Sequence, residues 1–155
     1  MRRKINLINL SVFGLFVLDR VLKSLALAGS TKDFYFIKFF LSLNPNVALG
    51  LPVRGMILYF AILIIIFWLV FVLIGGYKNN KLTDILVFTL ILVGALSNLL
   101  DRIKQGQVVD YFNFLALVNF NISDLMILTG IIMKMKQIIG FNCFFPKNRE
   151  RSRLQ

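Results

Sequence analysis

One segment decides the fold, residues 94–124: GALSNLLDRIKQGQVVDYFNFLALVNFNISD. It begins inside a long apolar run, leaves that run through Asn98, Asp101 and Arg102, and returns to apolar sequence at Asp124. Between these points lies Asp110, flanked by valines and aromatic residues. A carboxylate in apolar surroundings costs free energy, so the carboxylates of this segment require a structural or functional reason.

The composition of the whole chain is that of a membrane protein. Of its 155 residues, 58% are hydrophobic and 16% are charged, and the mean hydropathy is +0.79. A soluble domain is about half apolar and about a quarter charged, so a soluble binding module is excluded. We predict one all-α membrane domain over residues 1–155, a bundle of four transmembrane helices. The predicted spans are 5–28, 56–76, 83–101 and 122–140, and the parts outside the membrane are 29–55 and 102–121.

The basic residues predict the orientation of the chain. The net charge is +11, from 18 Lys and Arg against 7 Asp and Glu, and most of the basic residues lie beside apolar runs. This placement indicates contact with anionic membrane lipid and control of topology, and argues against a nucleic-acid partner. Eleven lie on the side of the two termini and five on the other, which predicts cytoplasmic termini. The five are Lys32, Lys38, Arg54, Arg102 and Lys104.

This orientation places the polar residues of three helices at one depth. Helix one runs outward with its charges in its outer half, helix three carries polar groups at its outer end, and helix four begins outside. The residues concerned are Asp19, Arg20, Lys23, Asn98, Asp101, Arg102 and Asp124. With Asp110 in the loop on the same side, we predict a site at the extracytoplasmic membrane–water boundary.

The inventory of reactive side chains narrows the chemistry. The chain has one cysteine, Cys143, and no histidine. No internal disulfide and no zinc site of Cys and His can therefore be built. The carboxylates are not clustered as in a calcium loop, so we expect no metal and no cofactor.

Asp110 and Asp124 are the best candidates for an acid–base pair. When two carboxylates lie close together they do not both ionise easily, so one can hold a proton while the other accepts a proton from water. Each also has a simpler interpretation. Asn121 is a good helix N-cap, and Asp124 three residues later would favour the helix dipole. Asp110 could be an ordinary loop carboxylate.

Several other polar residues share a helix face with a partner. Asp19 and Lys23 are four apart, which favours a structural ion pair over a direct chemical role. Asn98 and Arg102 are also four apart, and could satisfy backbone groups at the helix end or hold substrate carbonyls. Gly94 permits close approach of another helix.

Four blocks of sequence resemble the bacterial lipoprotein signal peptidases, also called signal peptidase II. DRVLK at 19–23 is similar to the family's D-x-x-x-K, and NPNVALG at 44–50 to N-x-G-x-A-F-[GS], with Asn46 and Leu49 as departures. GALSNLLDR at 94–102, followed by Gly106 and VVDY at 108–111, resembles G-A-x-[GS]-N-x-x-D-R…G-x-V-[VI]-D-[FY]. FNISD at 120–124 resembles F-N-x-A-D.

The resemblance implies an aspartic endopeptidase of the bacterial cytoplasmic membrane. Such an enzyme cleaves the signal peptide of a prolipoprotein on the N-terminal side of the diacylglyceryl-modified cysteine. It implies catalytic roles for Asp110 and Asp124, a small extracytoplasmic β-cradle beside the four helices, and, we expect, a monomer. Residues matching those that support the site or contact substrate are Asp19, Lys23, Asn44, Gly94, Asn98, Arg102 and Asn121.

The rival class is a membrane protein without enzymatic activity, such as a small transporter or an assembly factor. A transporter is expected to carry polar groups near the midplane or on both sides of it. The polar residues of this chain are predicted to crowd one side, which favours chemistry at the membrane surface.

Overall fold

The computed structural model describes residues 1–33, 35–45, 56–115 and 117–140. Within these ranges the chain forms four helices, α1 (Arg2–Leu27), α2 (Met56–Lys78), α3 (Leu82–Gln105) and α4 (Ile122–Ile139). Four strands accompany them, β1 (Lys32–Asp33), β2 (Ile37–Asn44), β3 (Val108–Phe114) and β4 (Val118–Phe120). Asn46, Leu49, Arg54 and Cys143 lie outside the described residues.

The fold is a mostly helical membrane fold. Among the described residues, α1, α2 and α3 are long and apolar enough to cross a membrane, and α2 is the most hydrophobic of the three. The eighteen residues of α4 include Asp124, Lys134 and Lys136. α3 ends at Gln105, and the next residue, Gly106, has a left-handed φ of 72° and donates its N–H to the carbonyl oxygen of Arg102. This glycine lets the chain leave the helix and enter β3 within two residues.

A small antiparallel sheet lies beside one end of the helices, with its strands in the order β1–β2–β3–β4. β2 and β3 pair along most of their length, with Ser42 opposite Asp110 and a break in register between Phe39 and Ser42. Phe39, Tyr111 and Ala26 form a buried apolar cluster that joins the sheet to α1. Asp110 therefore lies on a strand that is fixed on both sides, by β2 and by the helices.

α3 and α4 pack closely around Gly94. A Cβ added at Gly94 would lie 2.6 Å from the carbonyl oxygen of Ser123 and 2.9 Å from Cγ1 of Ile127. The first of these contacts is with backbone, which cannot move without shifting the start of α4. Gly94 thus sets the distance between the helices one turn away from Asn98.

Gly94→Ala is expected to destabilise the protein by about 1–3 kcal/mol, because the added methyl group overpacks a rigid contact. Thermal unfolding in detergent micelles measures this change. The matched control is Gly14→Ala in α1, where an added Cβ meets nothing within 4 Å. The control should unfold at or slightly above the wild-type temperature, because alanine favours a helix more than glycine does. Equal unfolding temperatures for the two variants would refute this account of Gly94.

Candidate active site

The carboxylates of Asp110 and Asp124 are held by amide donors from three parts of the chain. Asp110 accepts hydrogen bonds from Nδ2 of Asn121 at 2.7 Å and from Nδ2 of Asn44 at 3.1 Å, one on each oxygen. Asp124 accepts from Nδ2 of Asn98 at 2.8 Å and from the backbone N–H of Asn121 at 3.3 Å, again one on each oxygen. A carboxylate oxygen has more than one acceptor position, so both groups keep the capacity to bind water.

Asn121 connects the two carboxylates. Its Nδ2 donates to Asp110, and its Oδ1 accepts the backbone N–H of Asp124 at 2.8 Å. Together with the contact from its own backbone N–H, this forms a complete capping box at the start of α4. The capping role considered for Asn121 and Asp124 is therefore confirmed. The same geometry brings Asp124 beside Asp110, so capping and pairing are not alternatives.

The environment of Asp110 favours its protonated form. The residue is fully buried, whereas Asp124 is partly exposed. Burial raises the pKa of Asp110 to about 6, and the charge of Asp124 acts in the same direction. The hydrogen bonds from Asn44 and Asn121 oppose this rise, because they stabilise the ionised carboxylate. A group with this pKa can take up and release a proton near neutral pH.

A buried lysine helps to position Asp124 through Asn98. The ammonium group of Lys23 is fully buried and lies 3.1 Å from Oδ2 of Asp19 and 2.6 Å from Oδ2 of Asp101. It also donates to Oδ1 of Asn98 at 3.0 Å. That contact fixes the amide of Asn98 with its NH₂ group toward Asp124. The predicted pair of Asp19 and Lys23 is present, within a larger network than the sequence indicated.

Asp19 is the centre of four further contacts. Its carboxylate accepts from the hydroxyls of Ser97 at 2.7 Å and Ser123 at 2.6 Å, from the backbone N–H of Ser123 at 3.2 Å, and from Tyr111 at 2.9 Å. Burial and the nearby charge of Asp19 raise the pKa of Tyr111, so its hydroxyl stays protonated and donates. Three elements, α3, α4 and β3, are thereby fastened to α1.

Tyr111 also links the strand that carries Asp110 to the helix that carries Asp124. Its hydroxyl oxygen accepts the backbone N–H of Ile122, in the first turn of α4, at 2.9 Å. Sequence reasoning did not single out Ser97, Ser123 or Tyr111. The available signal was hydroxyl groups next to Asn98, Asp124 and Asp110 in otherwise apolar sequence.

Two arginines complete the site. Arg20 donates to Oδ1 of Asp101 at 2.6 Å and to the carbonyl and hydroxyl oxygens of Ser97 at 3.2 Å. The positive charge of Arg102 interacts with the charges of Asp124, Asp101 and Asp110. The structure therefore gathers at one end of the helices the nine residues that the resemblance assigns to the site, with Gly94 one turn before Asn98 on α3. Among the described residues, no group of three or more His, Cys, Asp or Glu side chains is arranged to hold a metal ion.

Comparison with known proteins identifies the family. The family model described as signal peptidase (SPase) II matches residues 11–140, which include every residue of this site. The chain belongs to the signal peptidase II family. The resemblance stated from the four sequence blocks is thereby confirmed, and with it the assignment of the chain as a peptidase that processes lipoproteins.

Individual relatives agree with this membership. The chain is 31% identical to the lipoprotein signal peptidase of Campylobacter jejuni serotype O:6 over 90% of this chain and 88% of that protein. It is 37% identical to that of Pelotomaculum thermopropionicum, over 59% of this chain and 60% of that protein. A solved bacterial membrane enzyme superposes with a TM-score of 0.74 over 97% of this chain and 94% of that chain. At 22% sequence identity, the superposition shows a shared membrane-enzyme fold.

Proposed function

We propose that Asp110 and Asp124 are the catalytic pair with which this signal peptidase II hydrolyses the peptide bond preceding the diacylglyceryl-modified cysteine of a prolipoprotein. One observation carries the proposal: Asn121 binds both carboxylates, that of Asp110 on a strand and that of Asp124 in the first turn of a helix. A capping aspartate alone needs no second carboxylate, and an ordinary loop aspartate would be exposed rather than buried. Both residues instead belong to one hydrogen-bonded unit.

The pair acts while it holds one proton. The ionised carboxylate removes a proton from a water molecule, and the water oxygen attacks the scissile carbonyl carbon. The protonated carboxyl group gives its proton to the carbonyl oxygen, which forms a neutral tetrahedral intermediate. As the C–N bond breaks, the carboxyl group that received the water proton gives it to the leaving nitrogen. The other carboxylate takes up the proton of one hydroxyl of the intermediate, whose oxygen becomes the new carbonyl oxygen, so the pair again holds one proton. The two aspartates titrate as a coupled pair, so the roles of acid and base belong to the pair.

The surrounding residues divide into positioning groups and a substrate contact. Asn98 is held by Lys23 and in turn orients Asp124, and Asn121 and Asn44 orient Asp110. Arg102 carries a positive charge close to both aspartates. We assign to it the binding of substrate carbonyl oxygens, where a fixed cation stabilises developing negative charge.

The proposed topology has four spans, with both termini in the cytoplasm, the site on the extracytoplasmic side, and a monomeric enzyme that meets its substrate within the lipid. Support for α4 as the fourth span comes from the pairing of its charges. Lys134 lies 2.9 Å from Asp84 and 5.1 Å from the ring centre of Phe88, both on α3. At the opposite end of α4, Asp124 lies inside the site. The unequal distribution of Lys and Arg supports the orientation.

A cleavage assay with two forms of one precursor tests the proposed substrate. The purified enzyme in lipid vesicles receives a prolipoprotein that carries the diacylglyceryl group on its cysteine, or the same precursor without the lipid. The lipid-modified form should be cleaved and the unmodified form should remain intact. Equal cleavage of the two forms would refute the proposed substrate class, while leaving the catalytic pair to be tested separately.

The hydrogen bond from Asn44 predicts a shift in the pH dependence of cleavage. The rate should fall as pH rises through the pKa at which the pair loses its shared proton. Asn44 stabilises ionised Asp110, so Asn44→Ala should raise that pKa and move the alkaline limb to higher pH. A hydrogen bond to a charged group is worth about 1.5 kcal/mol, which corresponds to about one pH unit.

The control for this shift is Ser42→Ala on the same strand. Ser42 lies opposite Asp110 in the sheet, but its hydroxyl accepts a hydrogen bond from Asn119. The alkaline limb of the Ser42→Ala variant should lie at the same pH as that of the wild type. The role assigned to Asn44 would be contradicted if the alkaline limb of Asn44→Ala lay at the wild-type pH or at a lower pH.

A further inference from the structure

A second polar feature lies at the far end of the helices from the aspartate pair. An open cavity of about 420 Å³ lies between the end of α2 and the start of α3. One side is polar, with Lys78, Asn79 and Lys81, and the other is apolar, with Phe71, Val72 and Ile74. Asp84, on its rim, precedes Asp101 by seventeen residues on the same helix, which corresponds to about 25 Å. The cavity therefore has no part in the site described above.

The charge within this cavity is positive and uncompensated. Lys78 and Lys81 are exposed, and neither forms an ion pair within the described part of the chain. The negative charge of Asp84 is already neutralised, because Lys134 binds it at 2.9 Å. Two cationic groups and an amide thus face a space to which the described residues supply no free anion.

The apolar wall continues along α2 as a strip on one helix face. Trp68, Phe71, Gly75 and Lys78 follow one another at intervals of three, four and three residues, so they stand in one row. Trp68 and Phe71 are 56% and 76% exposed. At Gly75 an added Cβ would meet nothing within 4 Å, so the row is open where it joins the cavity. A ligand held by Lys78 could lay an extended chain along this row.

We propose that the cavity binds the phosphate headgroup of an anionic phospholipid, with an acyl chain lying along Phe71 and Trp68. The lysines match a phosphate, and the apolar row matches a hydrocarbon chain, so the two halves of the site correspond to the two halves of one molecule. Free inorganic phosphate would use the lysines alone. In the proposed orientation this end of the protein faces the cytoplasmic leaflet. The inference does not depend on which residues are catalytic.

Trp68 provides the test, because it is the only tryptophan in the chain. It precedes Lys78 by ten residues, so it lies about 15 Å deeper along the helix, beside the middle of a bound acyl chain. The protein is reconstituted in phosphatidylcholine vesicles that contain a minor fraction of lipid brominated on its acyl chain. Brominated phosphatidylglycerol should quench the fluorescence of Trp68 to the same extent as brominated phosphatidylcholine at about ten times the concentration. Inorganic phosphate should leave that preference unchanged.

Matched double variants separate a site from general attraction to charge. In Lys78→Gln/Lys81→Gln, the preference for phosphatidylglycerol should disappear, whereas Arg2→Gln/Arg3→Gln removes the same charge at the same membrane face and should retain it. Circular dichroism is used to check that both variants are folded. Equal quenching by the two lipids in the wild type would overturn the proposal. Equal loss in both variants would also overturn it, since the lipid would then gather by diffuse charge. Loss of the preference for phosphatidylglycerol when inorganic phosphate is added would also overturn it, because the lysines alone would then hold the ligand.

Discussion

Asparagine in place of Asp110 or Asp124 is expected to lower the rate of prolipoprotein cleavage by about 10³-fold or more. Asparagine keeps the shape of the side chain but can neither accept a proton from water nor deliver one to a carbonyl oxygen. Because the two carboxylates act as one unit, the double variant should lose little more activity than either single variant. Single-turnover cleavage of the lipid-modified precursor in vesicles measures all three rates.

The matched control is Asp33→Asn. Asp33 lies on β1 of the same sheet, and its side chain is 76% exposed beside Lys38. This variant should cleave at the wild-type rate. Circular dichroism and unfolding temperature should show that the Asp110 and Asp124 variants are folded, so that lost activity reflects lost chemistry. Cleavage within about tenfold of wild type in either of those variants would remove it from the catalytic pair.

Lys23→Met is expected to cause the largest loss of stability, about 3–5 kcal/mol. Lys23 is the cation that lies between Asp19 and Asp101, and all three side chains are at most 1% exposed. Removing it leaves the buried Asp19 without its ion-pair partner, while Asp101 keeps Arg20 at 2.6 Å. The apolar packing of methionine does not offset the cost of the unpaired buried charge. Asn98 also loses the contact that orients it toward Asp124, so residual enzyme should be slow. Unfolding in detergent micelles and cleavage in vesicles measure the two effects.

The exposed pair on the sheet provides the control for this charge removal. Lys38 lies 3.8 Å from Asp33, with side-chain exposures of 56% and 76%. Since exposed ion pairs are worth at most about 1 kcal/mol, Lys38→Met should unfold near the wild-type temperature. A further variant, Lys23→Met with Asp19→Asn, removes one buried charge of each sign and should recover part of the lost stability. Wild-type stability of Lys23→Met alone would contradict the role given to this network.

The helices and the grouping of the site could be predicted from the sequence because each depends on local pattern. Long apolar runs predict helices, and the capping pattern of Asn121 and Asp124 predicts the start of α4. The positions of Asp19, Lys23, Asn98 and Asp124 at matching ends of three helices predict that they meet. The structure confirms that meeting through contacts from Lys23 to Asp19 and Asn98, and from Asn98 to Asp124.

The partners within the site could not be predicted, since they depend on how the helices are rotated against one another. Ser97 and Ser123 bind Asp19 across 78 and 104 residues of sequence. A serine hydroxyl in a helix can also form a hydrogen bond to the backbone of its own helix. The spacing of these two serines in the sequence does not show which of the two kinds of bond each one forms. Asn98 was expected to satisfy backbone groups or hold substrate. Its contacts with Lys23 and Asp124 became visible only with α1, α3 and α4 in place.

Tyr111 illustrates the same limit in the sheet. The sequence shows apolar residues around Asp110, and the alternation of side chains along a strand places Tyr111 on the face opposite to that carboxylate. It does not reveal that the hydroxyl of Tyr111 reaches both Asp19 and the first turn of α4. Contacts of this kind join elements that are distant in sequence.

The identity of the cleaved bond, determined with the purified enzyme as the only protein catalyst, tests the central claim most directly. The lipid-modified prolipoprotein is incubated with the enzyme in vesicles in the presence of a metal chelator, and the mass of each product is measured. We expect one cut, which leaves a mature protein beginning with the diacylglyceryl-modified cysteine and a signal peptide with a free carboxyl terminus. Cleavage at another bond, or activity that the chelator abolishes and a divalent metal restores, would contradict hydrolysis by a pair of aspartates.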